Sequence, residues 1–259
     1  MNRRGHPMDF PERCAEILRQ TELLAAAVEG ADRTARVAAC PEWNLGQLLE
    51  HVSTGHRWAE ETVRTRARHW LPDDELRNPV DTPRPASWLV DGAKALVATL
   101  REAGPDAEVF TPVPNGPPRA AFYARRFMNE TLIHRADATL AAGGEFTVTP
   151  EVAHDAMEEW LELGSLPQLL EFVPERRELL GPDRTIHLAP TDHAASWTVD
   201  LTGDQLAWHP GPPANAAVTA AAPLGDLLLM VYGRLPAEVS HRTGDTEYLD
   251  RWLSLVGFG

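Results

Sequence analysis

Apolar positions recur at helical spacing over the first two-thirds of the chain and switch to alternation in the last third. Phe10, Ile17, Leu18, Leu24 and Val28 share one stripe, which predicts a helix from Asp9 to about Glu29. Asp9 can cap it, helped by Glu12 three residues on, and Pro11 takes an early position where proline is tolerated. Cys40-Pro41-Glu42-Trp43-Asn44 interrupts the pattern. Asn44 can then cap a second helix, Leu45 to about Arg68, that carries Leu48, Val52, Trp58, Thr62 and Val63. Pro72, Pro79, Pro83 and Pro85 mark an irregular connection. Ser87 can cap a third helix to about Ala103, with Leu89, Ala93, Leu96, Val97 and Leu100 apolar. Pro105, Pro112, Pro114, Pro117 and Pro118 form a second proline-rich loop. A fourth helix spans about Arg119 to Ala142 and stops at Gly143-Gly144. A further helix, about Pro150 to Leu166, holds Met157, Trp160 and Leu161.

The texture changes after about Leu170. Thr185–Leu188, Ser196–Leu201, Gln205–His209 and Ala216–Ala220 read as strands, with a turn at Gly203-Asp204. Leu224–Tyr232 and Thr246–Val256 read as short helices. The expected fold class is α plus α+β: a helical bundle over residues 1–168, then a small α+β domain over 169–259. The boundary is expected where Pro174, Gly181 and Pro182 cluster.

Composition narrows the function. With 24 basic and 38 acidic residues among 259, the formal charge is -14. A surface that acidic repels phosphate backbones and anionic lipid, so no nucleic acid and no membrane partner is expected. No apolar run approaches the roughly 20 residues a membrane span needs, and residues 1–7 show no apolar core of a secretory signal. Cys14 and Cys40 are the two cysteines, without a Cys-x-x-Cys pattern. That excludes a disulfide scaffold and a cysteine-rich zinc site and fits a reducing cytoplasm. Nucleotide-binding glycine motifs and a Gly-x-Ser-x-Gly elbow are absent.

Candidate chemistry sits in the fourth helix. Glu130 and His134 are four residues apart, on one face and one turn apart, where they can grip a single cation. The alternative is a solvated Glu–His pair. His51 on the second helix can face them across a bundle core, or be a satisfied core histidine. Two histidines and a carboxylate leave an open position for water or substrate, the pattern of catalytic zinc and related divalent sites. His56 lies five residues after His51, about 140° off that stripe, and reads as a rim residue. Asp137 can orient His134 or form a surface ion pair, and the surface pair is the expected role.

Three stretches then resemble a known family. Val37–Asn44, Leu48-Leu49-Glu50-His51-Val52 and His56-Arg57-Trp58 resemble the first metal-binding segment of the mycothiol-dependent maleylpyruvate isomerase family, which belongs to the DinB-like four-helix bundles. Arg126–Asp137 resembles its second metal segment, with Asn129 where the usual pattern has histidine. Thr185–Leu188, Trp197–Val199, Asp226–Arg234 and Gly244-Asp245 resemble its C-terminal domain, related in fold to sterol-carrier proteins. The resemblance implies a divalent metal, zinc first, on His51, Glu130 and His134, with water as fourth ligand. It implies mycothiol as thiol cosubstrate and a small electrophilic molecule as substrate. Metal coordination deprotonates a thiol of pKa near 8.5. The thiolate can add to an enone and be eliminated after bond rotation, or displace a leaving group. An isomerase and an S-transferase are thus both open.

Arg234 ends the apolar helix of the tail. It reads as a catalytic and cofactor-binding clamp for a carboxylate of substrate or thiol, or as a charge complementing the helix dipole. Arg125, Arg126 and Arg135 are expected to be solvated or ion-paired. Trp43, Trp58 and Trp88 are expected to pack in the core or at the bundle edge, and Trp197 and Trp208 on the sheet face. Cys14 and Cys40 are expected to be inert. Two other functions stay open: a non-catalytic binding module with a structural metal, and a thiol-independent metal hydrolase or lyase.

Overall fold

In the computed structural model the described residues are 8–257, apart from 83, 86, 114, 115 and 117. Residues 1–7, Pro83, Pro114 and Pro117, which carried expectations above, lie outside them. The described residues divide into two compact units, 8–146 and 147–257.

The first unit is built on four long helices: α1 (Phe10–Ala27), α2 (Leu45–Arg64), α4 (Ser87–Ala103) and α5 (Ala120–Ala141), with a single turn α3 (Asp74–Arg77) between α2 and α4. Each of α1 and α2 packs on both α4 and α5. The two long N-terminal helices start where the polar pattern says they should. Asp9 and Glu12 close a capping box on α1, and Asn44 and Gln47 close one on α2, each satisfying two donors that the first turn leaves unpaired. α2 stops at Arg64 rather than about Arg68, because Thr65 and Arg66 turn the chain. One apolar cluster joins Ile17, Val63, Leu96, Leu100, Tyr123 and Met128; a second joins Leu24, Leu45, Leu48, Val52 and Leu89.

The second unit begins with α6 (Pro150–Gly164), followed by the short α7 (Leu169–Phe172) and a 3-10 turn, Pro174–Leu179. Five strands follow: β1 (Thr185–Pro190), β2 (Trp197–Asp200), β3 (Ala207–Pro210), β4 (Val218–Ala222) and β5 (His241–Gly244). Their order is β3-β2-β1-β4-β5, with β1 and β4 parallel and the other pairs antiparallel. Helices α8 (Leu224–Val231) and α9 (Thr246–Val256) complete the unit.

Two expectations differ from this arrangement. The expected boundary between residues 168 and 169 falls instead between 146 and 147, so α6 belongs with the sheet. Trp160 of α6 is 2% exposed and packs edge-on against Trp252 of α9, ring centroids 5.6 Å apart, and beside Tyr232. β5 was not expected, since His241-Arg242-Thr243-Gly244 lacks apolar alternation. It is an edge strand, where one face need not be buried. Its Gly244 holds φ +93°, and a Cβ there would run into the Ala217 carbonyl, so only glycine fits without strain.

Candidate metal centre

Helix α5 runs through the centre of its unit, and most of its residues are buried. Polar groups on such a helix must find partners, because an unpaired buried charge is costly. Arg126, Glu130, His134 and Asp137 solve this as a ladder along one face. The Arg126 guanidinium pairs with Glu130 Oε2. His134 Nε2 lies 3.0 Å from Glu130 Oε1, and its Nδ1 lies 3.0 Å from Asp137 Oδ2.

His51 of α2 faces this ladder. Its Nε2 is 3.7 Å from Glu130 Oε1, and its ring stands nearly perpendicular to that of His134, centroids 4.9 Å apart. Trp43 covers its other side at 4.6 Å. One potential ligand atom from each of His51, Glu130 and His134 can be chosen so that all lie within 4.8 Å of one another.

The outer nitrogens of the two imidazoles are fixed by acceptors. His51 Nδ1 sits 2.8 Å from the Leu76 carbonyl, which can only accept, so Nδ1 carries the hydrogen. Asp137 does the same for His134. Both Nε2 atoms are thereby available to a cation. This is the outer-shell arrangement that orients histidine ligands. The donor set of two nitrogens and a carboxylate oxygen fits a divalent ion of the zinc type.

The charges agree with that geometry. Burial pushes the Glu130 carboxyl up, but Arg126 and the two imidazoles outweigh it and hold it well below the ordinary carboxylate value. Burial pulls His134 down, yet Asp137 and Glu130 more than reverse this, to about 9. Without an ion, a proton on His134 Nε2 therefore occupies the place between imidazole and carboxylate where a cation would sit.

Several residues stand elsewhere than expected. Asp137 is 2% exposed and bonds His134, so it orients the imidazole and forms no surface pair. His56 is 1% exposed and no rim residue. Its Nε2 contacts Thr131 Oγ1 at 2.8 Å. Burial and Arg57 push its pKa down to about 3, so the ring is neutral. Arg135 is buried rather than solvated, donating to Gln20 Oε1 at 2.6 Å and lying over Phe146. Cys40, half-exposed, lies with His134 and Asp137 in a second group whose potential ligand atoms fall within 4.8 Å of one another. Arg234 belongs to the other unit, where its Nη1 donates to the Tyr232 carbonyl at 2.7 Å.

Sequence reasoning did not assign the cavity beside the triad. It measures about 260 Å³ and is lined by His51, Arg126 and Glu130 together with Trp58, Trp70, Phe122, Tyr123 and Phe127. Trp58 was expected to be packing alone; it both packs and lines this space. The signal available was the aromatic spacing Phe122-Tyr123…Phe127 running into Glu130 on one helix.

Comparison with known proteins follows the same lines. Residues 14–139 match the family model of the mycothiol maleylpyruvate isomerase N-terminal domain. No curated protein matches the chain. Two solved structures are similar over 91% of this chain and 93% of theirs. One is the mycothiol-dependent maleylpyruvate isomerase, at 16% identity and TM-score 0.56. The other is a histidine-to-alanine mutant of the mycothiol-dependent maleylpyruvate isomerase, at 15% identity and TM-score 0.58. The fold, a helical part followed by a small sheet domain, is shared with both.

Proposed function

Because residues 14–139 match the family model of the mycothiol maleylpyruvate isomerase N-terminal domain, we propose that the chain is a metal-dependent enzyme using mycothiol. In this reading a thiolate attacks an electrophilic carbon of a small molecule, as an S-transferase or a cis–trans isomerase. The observation that carries it is the convergence of His51, Glu130 and His134 at one side of the aromatic cavity.

A divalent ion held there, zinc by the donor set, would supply the positive charge that makes a thiol acidic at neutral pH. The chain's own groups do the rest. Glu130 is already ionised, so no proton need leave it for a cation to be held. Asp137 and the Leu76 carbonyl keep the two Nδ1 hydrogens outward and both Nε2 lone pairs inward. Arg126 keeps Glu130 Oε2 engaged and leaves Oε1 toward the histidines. The aromatic walls would give the reacting carbon an apolar surrounding.

In a transfer, the sulfur's electron pair forms the new carbon–sulfur bond. The leaving group departs with the pair of the broken bond, and the thiol proton goes to solvent. In an isomerisation the thiolate adds, the former double bond rotates, and elimination returns the thiolate. Arg234 is proposed as the clamp for an anionic group of substrate or thiol, through its planar fork of donors. An enzyme using this thiol would work in the cytoplasm.

The test is metal analysis of the purified chain and of His51→Ala, Glu130→Ala and His134→Ala, with turnover of mycothiol and an electrophile. About one metal per chain, lost in each variant along with thiol-dependent turnover, is the expected result. Full occupancy in all three variants refutes the site.

A further inference from the structure

The cavity beside the triad says what kind of molecule can occupy it. Its walls are rings. Trp58 and Trp70 lie 4.6 Å apart between centroids, and Phe127 stands 6.5 Å from Trp58 and nearly parallel to Tyr123.

The two hydroxyls and the Trp58 ring nitrogen on these walls are engaged by the protein itself. Tyr123 donates its hydroxyl hydrogen to the Phe110 carbonyl at 2.8 Å, and Trp58 Nε1 points to the Leu71 carbonyl at 3.4 Å. Thr131 gives its hydroxyl hydrogen to the Phe127 carbonyl, so the 2.8 Å contact with His56 is made by an Nε2 hydrogen. That leaves His56 Nδ1 as a bare, buried lone pair without a partner among the described residues. A carboxylate gains nothing from a bare lone pair and loses its water against aromatic walls. Arg126, on the lining, is paired with Glu130. The space is shaped for stacking, and an anion pressed against these ring faces trades its hydration for apolar contact.

We propose that the electrophile this chain takes is an uncharged aromatic compound, seated against Trp58, Trp70 and Phe127 with its reacting carbon toward His51 and Glu130. As a statement about substrate this rests on the thiol chemistry proposed above; as a statement about the cavity's ligand it does not. The reaction it fits best is transfer. The sulfur pair of mycothiol bonds the ring carbon or a carbon attached to it, a halide or similar group leaves with its bonding pair, and the thiol proton passes to solvent.

The test separates ligand class from chemistry. Calorimetric titration of the full metal-free chain, without thiol, compares nitrobenzene with the dianion isophthalate. Nitrobenzene should bind at least about tenfold more tightly. Trp70→Ala should cut nitrobenzene binding roughly tenfold; Trp70 is 39% exposed, so folding should survive. A Phe127→Leu variant gives a second reading of the same wall if Trp70→Ala misfolds. Equal or tighter binding of isophthalate, or no nitrobenzene binding, overturns the proposal. A parallel assay follows mycothiol conjugation to chloronitrobenzene on the zinc-loaded chain. Selective binding without conjugation supports the ligand class and counts against the thiol chemistry instead.

Discussion

Asp137 accepts the Nδ1 hydrogen of His134 at 3.0 Å, with both side chains buried and one turn apart on the same helix. A carboxylate in that position fixes which nitrogen carries the hydrogen and strengthens the other as a ligand. Asp137→Asn keeps the volume and removes the charge. Zinc affinity should fall about 10- to 100-fold while the fold is retained, measured by chelator competition and by circular dichroism. Unchanged affinity would mean that Asp137 has no part in the site.

The same contact sets a pH dependence. His134 is raised from the ordinary 6.5 to about 9. A raised value stabilises the folded state fully below 6.5, and that contribution is lost as pH rises through about 9. The metal-free chain should therefore lose thermal stability over this window, and His134→Ala should flatten the slope. Zinc must displace the same proton, so its affinity should climb about tenfold per pH unit until about 9 and then level. Glu130, held well below its ordinary value, stays ionised throughout and adds no slope there. Zinc affinity independent of pH between 6.5 and 9 contradicts the assignment of the proton to His134.

The cysteines should differ sharply in reactivity. Burial pushes the Cys14 thiol up to about 11 against the opposing pull of Arg101, and the side chain sits in the bundle core at 0% exposure. Cys40 is half-exposed. Iodoacetamide at pH 8 should label Cys40 in the folded chain and reach Cys14 only after unfolding in urea. Mass spectrometry showing comparable labelling of both in the native state would be inconsistent with this packing.

The bundle was legible because its signals are local. Asp9 and Asn44 announce their helices, and the stripes of α1, α2 and α4 name their buried faces. The triad was legible as a spacing, Glu130 and His134 one turn apart. Its supports were not. Asp137 as an orienting group, Leu76 as a carbonyl acceptor and His56 as a buried neutral ring depend on which helix packs opposite, and periodicity carries no such information. The edge strand β5 escaped for a related reason: its pairing to β4 is made by backbone, not by an apolar pattern.

Trp160 shows the same limit at the scale of a domain, and yields the last prediction. Helical period identified α6, but a helix with Met157, Trp160 and Leu161 on one face could as well have covered the bundle. It packs on α8 in the sheet unit, with Trp160 against Trp252 and beside Tyr232. Truncation to alanine removes a large ring from a site that is 2% exposed and leaves a cavity that the surrounding helices fill only in part. The expected cost is about 3–5 kcal/mol, read from urea unfolding. Trp252→Ala should cost a similar amount, and the double variant less than the sum, because the two rings share one contact. Strict additivity of the two losses would show that α6 and α9 are not coupled through these rings.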